Sequence, residues 1–286
     1  MQQTLSIHRS FGSELRAVGA FMRKEWRIFR RYPSWVLSMF IWPVLFPFGY
    51  IFTAKALGGP DGAALETFRG LTGTTDYVGF IVVGSVMWMW LNMTLWDVGM
   101  YLRSEQMHGT LESNWLCPTW RVSLMLGGAL TKGLISLLFL AVSLLEFRLF
   151  FGVQVANGSL GLALLLLLLI LPTIHGIGIA FASLVLRFKE ANAMVFLVRG
   201  VFMIFCGITY PIAVLPAWMQ GVASVLPLTY AIRDIRAVLL AGATFADIRS
   251  DLLVLVAFAL IMPLIGYLTF YGTERRSRRT GDLGQY

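Results

Sequence analysis

The chain has 286 residues, of which 57% are hydrophobic and 13% charged, with a mean hydropathy of +0.73 and a net charge of +8. Soluble domains carry about a quarter charged residues, so a soluble globular class is excluded. The isoelectric point near 9.8 does not point to nucleic acid, because the basic residues flank apolar runs, where attraction to anionic lipid headgroups accounts for them.

Residues 1–33 read as a polar leader. Leu15, Val18, Met22, Trp26 and Phe29 form an apolar stripe with Arg16, Arg23, Arg27 and Arg30 opposite, the pattern of a helix lying flat in the membrane interface. Such a helix either anchors the chain or docks a partner, and Pro33 turns it into the membrane. Runs of the length needed to cross a bilayer, about 20 residues, lie near 34–54, 78–102, 122–151, 160–186, 193–211 and 252–272. Ala54-Lys55-Ala56 resembles a signal cleavage site, but the leader is too long and the first run exceeds a signal core, so it is read as a span. The expected fold is all-α: one six-span membrane domain over 34–272, followed by a basic tail over 273–286. Seven arginines and lysines between Arg9 and Arg31, and Arg275, Arg276, Arg278 and Arg279 in the tail, place both termini in the cytoplasm. Arg103, Arg121, Arg187 and Lys189 fall on the same side.

The second span is rich in Trp and Met. Trp88, Trp90, Met93 and Trp96 line a greasy substrate path in one reading and pack as ordinary helix contacts in the other. Asp97 and Lys132, near the cytoplasmic ends of the second and third spans, are close enough in depth to pair across adjacent helices, as structure or as part of a gate. Glu146 and Arg148 fall at the outer end of the third span, where snorkelling suffices. Arg199 is expected to reach cytoplasmic headgroups, and His175, beyond Pro172, to hydrogen-bond between helices.

Between these spans lies a polar insert, residues 103–120. Met107, Leu111 and Trp115 share one face and Glu105 and Glu112 the other. Gly109 offers a break, Thr110 an N-cap and Pro118 a stop. The pattern suits an amphipathic loop and, more sharply, a docking helix with apolar anchors and with Glu105 or Glu112 meeting basic residues of a soluble partner.

Residues 207–242 cannot form a full crossing. Gly207, Pro211, Pro216 and Pro227 interrupt them, and the pieces Ala217 to Leu226 and Thr229 to Leu240 are short. Broken backbone at membrane depth must be packed against protein or lie at the interface, which predicts an extracytoplasmic re-entrant helical hairpin bent at Pro227. Arg233 and Arg236 then either anchor it at the interface or meet the anionic part of a departing cargo.

Two motifs carry a resemblance. Gly109-Thr110-Leu111-Glu112 followed by Pro118 resembles the coupling-helix region of ABC-2 type exporter permeases. Gly207 to Pro216, followed by Leu226-Pro227-Leu228-Thr229-Tyr230 and Arg236, is similar to their signature before the last span. The nearest branch is that of daunorubicin-resistance and nodulation-factor exporters, and the resemblance runs from the leader through the sixth span. Met107-His108 departs from it, standing where the family often carries charge. The resemblance implies a half-transporter: a second permease copy, two separate ABC ATPase subunits that hold ATP and Mg, an amphiphilic cargo (hydrophobic drug, lipid or lipid-linked saccharide) and the cytoplasmic membrane of a prokaryote.

The sequence agrees that the motor lies elsewhere. Gly127-Gly128-Ala129-Leu130-Thr131-Lys132-Gly133 lacks the second glycine before the lysine and the Ser or Thr after it, and His8, His108 and His175 lie in separate regions, so no metal site is expected. Two rival classes lack their sequence signatures. An ion-coupled secondary transporter would need more intramembrane carboxylates than Asp97 and an inverted repeat. An intramembrane enzyme would need a nucleophile–base constellation. Cys117 and Cys206 form no framework.

Overall fold

The computed structural model describes residues 10–57, 63–152, 160–185 and 191–280; Arg187 and Lys189 lie outside them. Among the described residues the chain is helical, in the order α1 (Phe11–Arg31), α2 (Pro33–Leu57), α3 (Ala63–Thr72), α4 (Tyr77–Asp97), α5 (Tyr101–Met107), α6 (Leu111–Leu116), α7 (Arg121–Phe150), α8 (Leu160–Val185), α9 (Ala191–Phe205), α10 (Ala217–Ala223), α11 (Pro227–Ala241) and α12 (Phe245–Thr280). Five of the six predicted spans are helices long and apolar enough to cross a membrane. The sixth, expected over 193–211, is the shorter α9. Its 15 residues reach only about 22 Å at 1.5 Å per residue, against a hydrocarbon core of about 30 Å. It ends because Gly207 adopts a left-handed φ of 64°, a conformation that costs glycine nothing.

Helix α4 is the centre of the bundle, flanked by α2, α7, α8, α9 and α11. It is apolar on every side because it is buried on every side: Val82, Trp90, Leu91 and Leu95 are wholly enclosed. Asp76 accepts the Gly79 N–H at 2.8 Å and caps its start. Helices α8 and α12 run against each other for much of their length. A Cβ at Gly176 would overlap the backbone of Met262 and Pro263, and one at Gly266 would press on the Gly176 carbonyl. Small residues permit this close approach, which is how helices without a hydrophobic drive between them gain contact in lipid.

Helix α1 is tied to the start of α7. The face it turns inward carries Glu14, Val18, Phe21 and Glu25, while Leu15 and Trp26 of the predicted stripe are exposed, so the inner face is rotated from the one the stripe indicated. The glycines of the false phosphate loop have a packing role here. A Cβ at Gly127 would overlap the Phe21 Cβ, and one at Gly128 would crowd the Tyr101 ring.

The molecule therefore has two ends. At one lie α1, α5, α6, the start of α7 and the ends of α8 and α12, joined over a small core of Tyr101, Leu102, Leu111, Leu124, Met125, Ala182 and Phe270 and by an Arg121–Glu274 ion pair at 3.5 Å. At the other, the chain breaks after α9 and resumes in pieces. Each piece begins at a proline, where the missing N–H is no loss. Pro211 precedes a 3₁₀ turn (Ile212–Val214), Pro216 precedes α10, and Pro227 is the first residue of α11. Helix α10 packs on α9, and α11 is buried against α4, α8 and α12.

Candidate functional site

The polar insert folds as α5 and α6 with the break at Gly109, whose φ is 68°. Glu105 organises it. Its Oε2 accepts from Thr110 Oγ1 and from Asn114 Nδ2, both at 2.7 Å, and its Oε1 pairs with Lys24 of α1. Thr110 stands at the N-cap of α6, but its hydroxyl turns back to Glu105 instead of capping. Glu14, one turn into α1, accepts the Trp120 N–H at 3.0 Å and the Ser123 hydroxyl at 2.6 Å. A carboxylate is favoured at the positive end of a helix, so α1 supplies from outside the cap that Trp120 does not provide for α7.

Two expectations for the insert change. Glu105 is not free for a partner, because burial without a cation would be costly and Lys24 fills that role. Leu111 is 1% exposed and belongs to the core beneath the insert, because α6 lies down on Leu124 and Met125 rather than standing out. Met107, 68% exposed, and Leu116, 86% exposed, are the apolar side chains the insert presents. The side chains of Glu112 and Trp115 lie outside the described residues.

The ionic groups continue inward. Lys24 lies 3.6 Å from Glu25, whose charge is also felt by Lys132, and Lys132 Nζ is 3.5 Å from Asp97 Oδ1. Charges thus alternate from Glu105 through Lys24, Glu25 and Lys132 to Asp97, linking insert, α1, α7 and α4. Burial pushes the Glu25 carboxyl above its ordinary range, more than the two lysines draw it down. Glu14, Lys24 and Glu25 were not singled out from the sequence. Their signal was present as two carboxylates spaced with Val18 and Phe21 at 4, 3 and 4 residues along one helix face.

At the opposite end Arg236 of α11 holds the broken segment after α9. It is 9% exposed and donates to the carbonyls of Phe80 at 3.0 Å, Gly207 at 2.8 Å and Ile208 at 2.6 Å, with its guanidinium 3.4 Å from the Phe80 ring centroid. Arg236 therefore does not face headgroups. It ties down the carbonyls that the break after α9 leaves without helical partners. A Cβ at Gly84 would overlap both the Ile208 carbonyl oxygen and Arg236, so the glycine makes the space. Arg233 lies outward, paired with Asp251 of α12 and 5.0 Å over the Tyr230 ring, and the Tyr230 hydroxyl closes the bend by donating to Ser224 O at 2.8 Å.

The Trp and Met residues of α4 divide. Trp90 is 0% exposed, and Trp88, also buried, stacks on Phe46 at 4.8 Å and donates its indole N–H to Arg199 O; both are core. Met93 and Trp96 remain part-exposed. Arg199, part-exposed, lies 5.0 Å from the Trp88 ring and 5.2 Å from Phe196. Glu146 is buried with Oε2 unpartnered among the described residues, and so does not snorkel. His175 Nδ1 contacts Leu171 O of its own helix at 2.9 Å instead of bridging helices.

Long apolar helices around a buried centre define a multi-pass, all-α integral membrane protein. Residues 16–240 match the ABC-2 type transporter family, and the chain belongs to that family. It is accordingly the membrane permease component of an ABC transporter, working with an ABC ATPase subunit, and is not itself a nucleotide-binding domain. No curated protein matches the chain.

Proposed function

We propose that this permease is half of an ATP-driven exporter, in which two copies pair by two-fold symmetry and two ATPase subunits hold ATP and Mg. The leader, insert and tail face the cytoplasm of a prokaryotic inner membrane, and the cargo is amphiphilic. The observation that carries this reading is the insert. It is a short, rigid handle pinned by Glu105 and Glu14, and it presents Met107 and Leu116 outward where a soluble subunit can enclose them. Side chains buried at the centre of such contacts cost about 2 kcal/mol or more when lost, roughly a 30-fold loss of affinity.

Met107→Asp with Leu116→Asp is expected to leave the permease in the membrane while releasing the ATPase subunit and abolishing cargo-stimulated ATP hydrolysis. Co-purification and ATPase assays on the complex measure both. Retained subunit and normal stimulated hydrolysis would reject the insert as the handle. Native mass spectrometry of the complex tests the pairing, for which two permeases and two ATPases are expected.

A further inference from the structure

We propose that the hairpin end contains a binding site for one anionic amphiphile, a phosphate or carboxylate carried on an apolar body. A cavity of about 460 Å³ opens among α3, the start of α4, the broken segment and α11, within the roughly 300–1,000 Å³ of small-molecule sites. Leu71, Ile212, Ile232 and Leu240 supply apolar wall. Its polar lining includes Arg236 and Thr229.

Arg236 spends three N–H groups on carbonyls; a guanidinium has five, so one remains on each terminal nitrogen. None of the ion pairs among the described residues includes it. Carbonyl dipoles satisfy its hydrogen bonds without cancelling its charge, and a buried charge is costly until an opposite one joins it. Arg233, also in the lining, is already neutralised by Asp251. Thr229 Oγ1 is buried against the Cys206 thiol, a weak hydrogen-bond partner that an anionic oxygen would outcompete. One uncompensated cation, one hydroxyl held only by a thiol and greasy walls suit an anionic head with an apolar tail. The site is independent of the direction of transport and of the ATPase.

The test is native mass spectrometry of the full-length permease in an uncharged detergent, titrated separately with decyl phosphate, decyl maltoside, inorganic phosphate and a phosphatidylglycerol. One equivalent of decyl phosphate or phosphatidylglycerol is expected to bind. Binding of the lipid alone identifies a membrane headgroup as the occupant, and binding of decyl phosphate alone identifies a free amphiphile. Thr229→Val is expected to weaken binding about tenfold, the worth of a hydrogen bond to a charged group. Ala237→Phe, which fills the cavity from α11, is expected to abolish it, and Leu71→Trp does the same from the opposite wall should Ala237→Phe fail to fold. Equal binding of decyl maltoside, or binding unchanged in the filled variants, overturns the proposal.

Discussion

Arg233 and Arg236 lie three residues apart on one helix and do different work. Arg236 spans three carbonyls with a planar fork that a lysine cannot reproduce. Arg236→Lys is expected to lower stability by about 2 kcal/mol, the scale of losing hydrogen bonds to a charged group, while Arg233→Lys keeps its exposed pair and stays near neutral. Thermal unfolding in detergent, read by size-exclusion, separates them; equal losses would refute the clamp. Spacing alone gave the two arginines one face, because helical periodicity reports direction and not depth. The clue that was legible is Gly207: a helix broken at membrane depth leaves carbonyls that some cation or donor must meet. Glu25 makes a second residue-scale case. Burial holds its carboxyl above the ordinary 4.5, against the pull of Lys132 and Lys24 and with the push of Glu105. The folded state therefore binds that proton more tightly than the unfolded chain. The stability this contributes is full below about pH 4.5 and is lost as pH rises through the folded value. Glu25→Gln cannot ionise, so its unfolding temperature relative to the unmodified chain is expected to climb with pH. Parallel pH profiles for the two would contradict this.

At the scale of elements, α1 and the insert act as one piece. Lys24 and Glu105, 81 residues apart in sequence, form the ion pair between them, beside the hydrogen bond from Trp120 to Glu14. Lys24→Glu or Glu105→Lys alone is expected to weaken the docking of α1 and reduce transport-linked ATPase activity, and the double swap to restore much of it. A double-mutant cycle measures the coupling, and strict additivity would show that the pair carries nothing. The break at Gly109 and the end of α6 before Pro118 were readable, since glycine and proline act through their own backbone. The seating of Leu111 was not. An amphipathic helix of six residues has an apolar face in any environment, and whether that face meets Leu124 of the same chain or a partner depends on tertiary contacts the pattern does not encode. The prolines of the hairpin were readable for the same local reason as Gly109, and each indeed begins a helical piece.

For the whole molecule, composition and run length sufficed for an all-α membrane protein, because lipid leaves a backbone few alternatives. The helix pairing was less accessible: Gly176 and Gly266 are two among 28 glycines, and only the contact of α8 with α12 separates them from the rest. Gly176→Leu is expected to force these helices apart and abolish folded, monodisperse protein in size-exclusion, whereas Gly161→Leu, with open space around its Cα, is expected to be tolerated. Helix α9 adds a consequence for the surrounding bilayer. It is roughly 8 Å shorter than the hydrocarbon core, whereas the apolar run 252–272 of α12 extends about 32 Å. One flank of the protein is thus short for the membrane while another fits it, and lipid is expected to thin beside α9, at a cost of fractions of a kcal/mol per ångström of mismatch. The permease becomes a gauge of membrane thickness: reconstituted into phosphatidylcholine bilayers of increasing acyl length, its stability is expected to peak in thin membranes and to fall steadily as the chains lengthen.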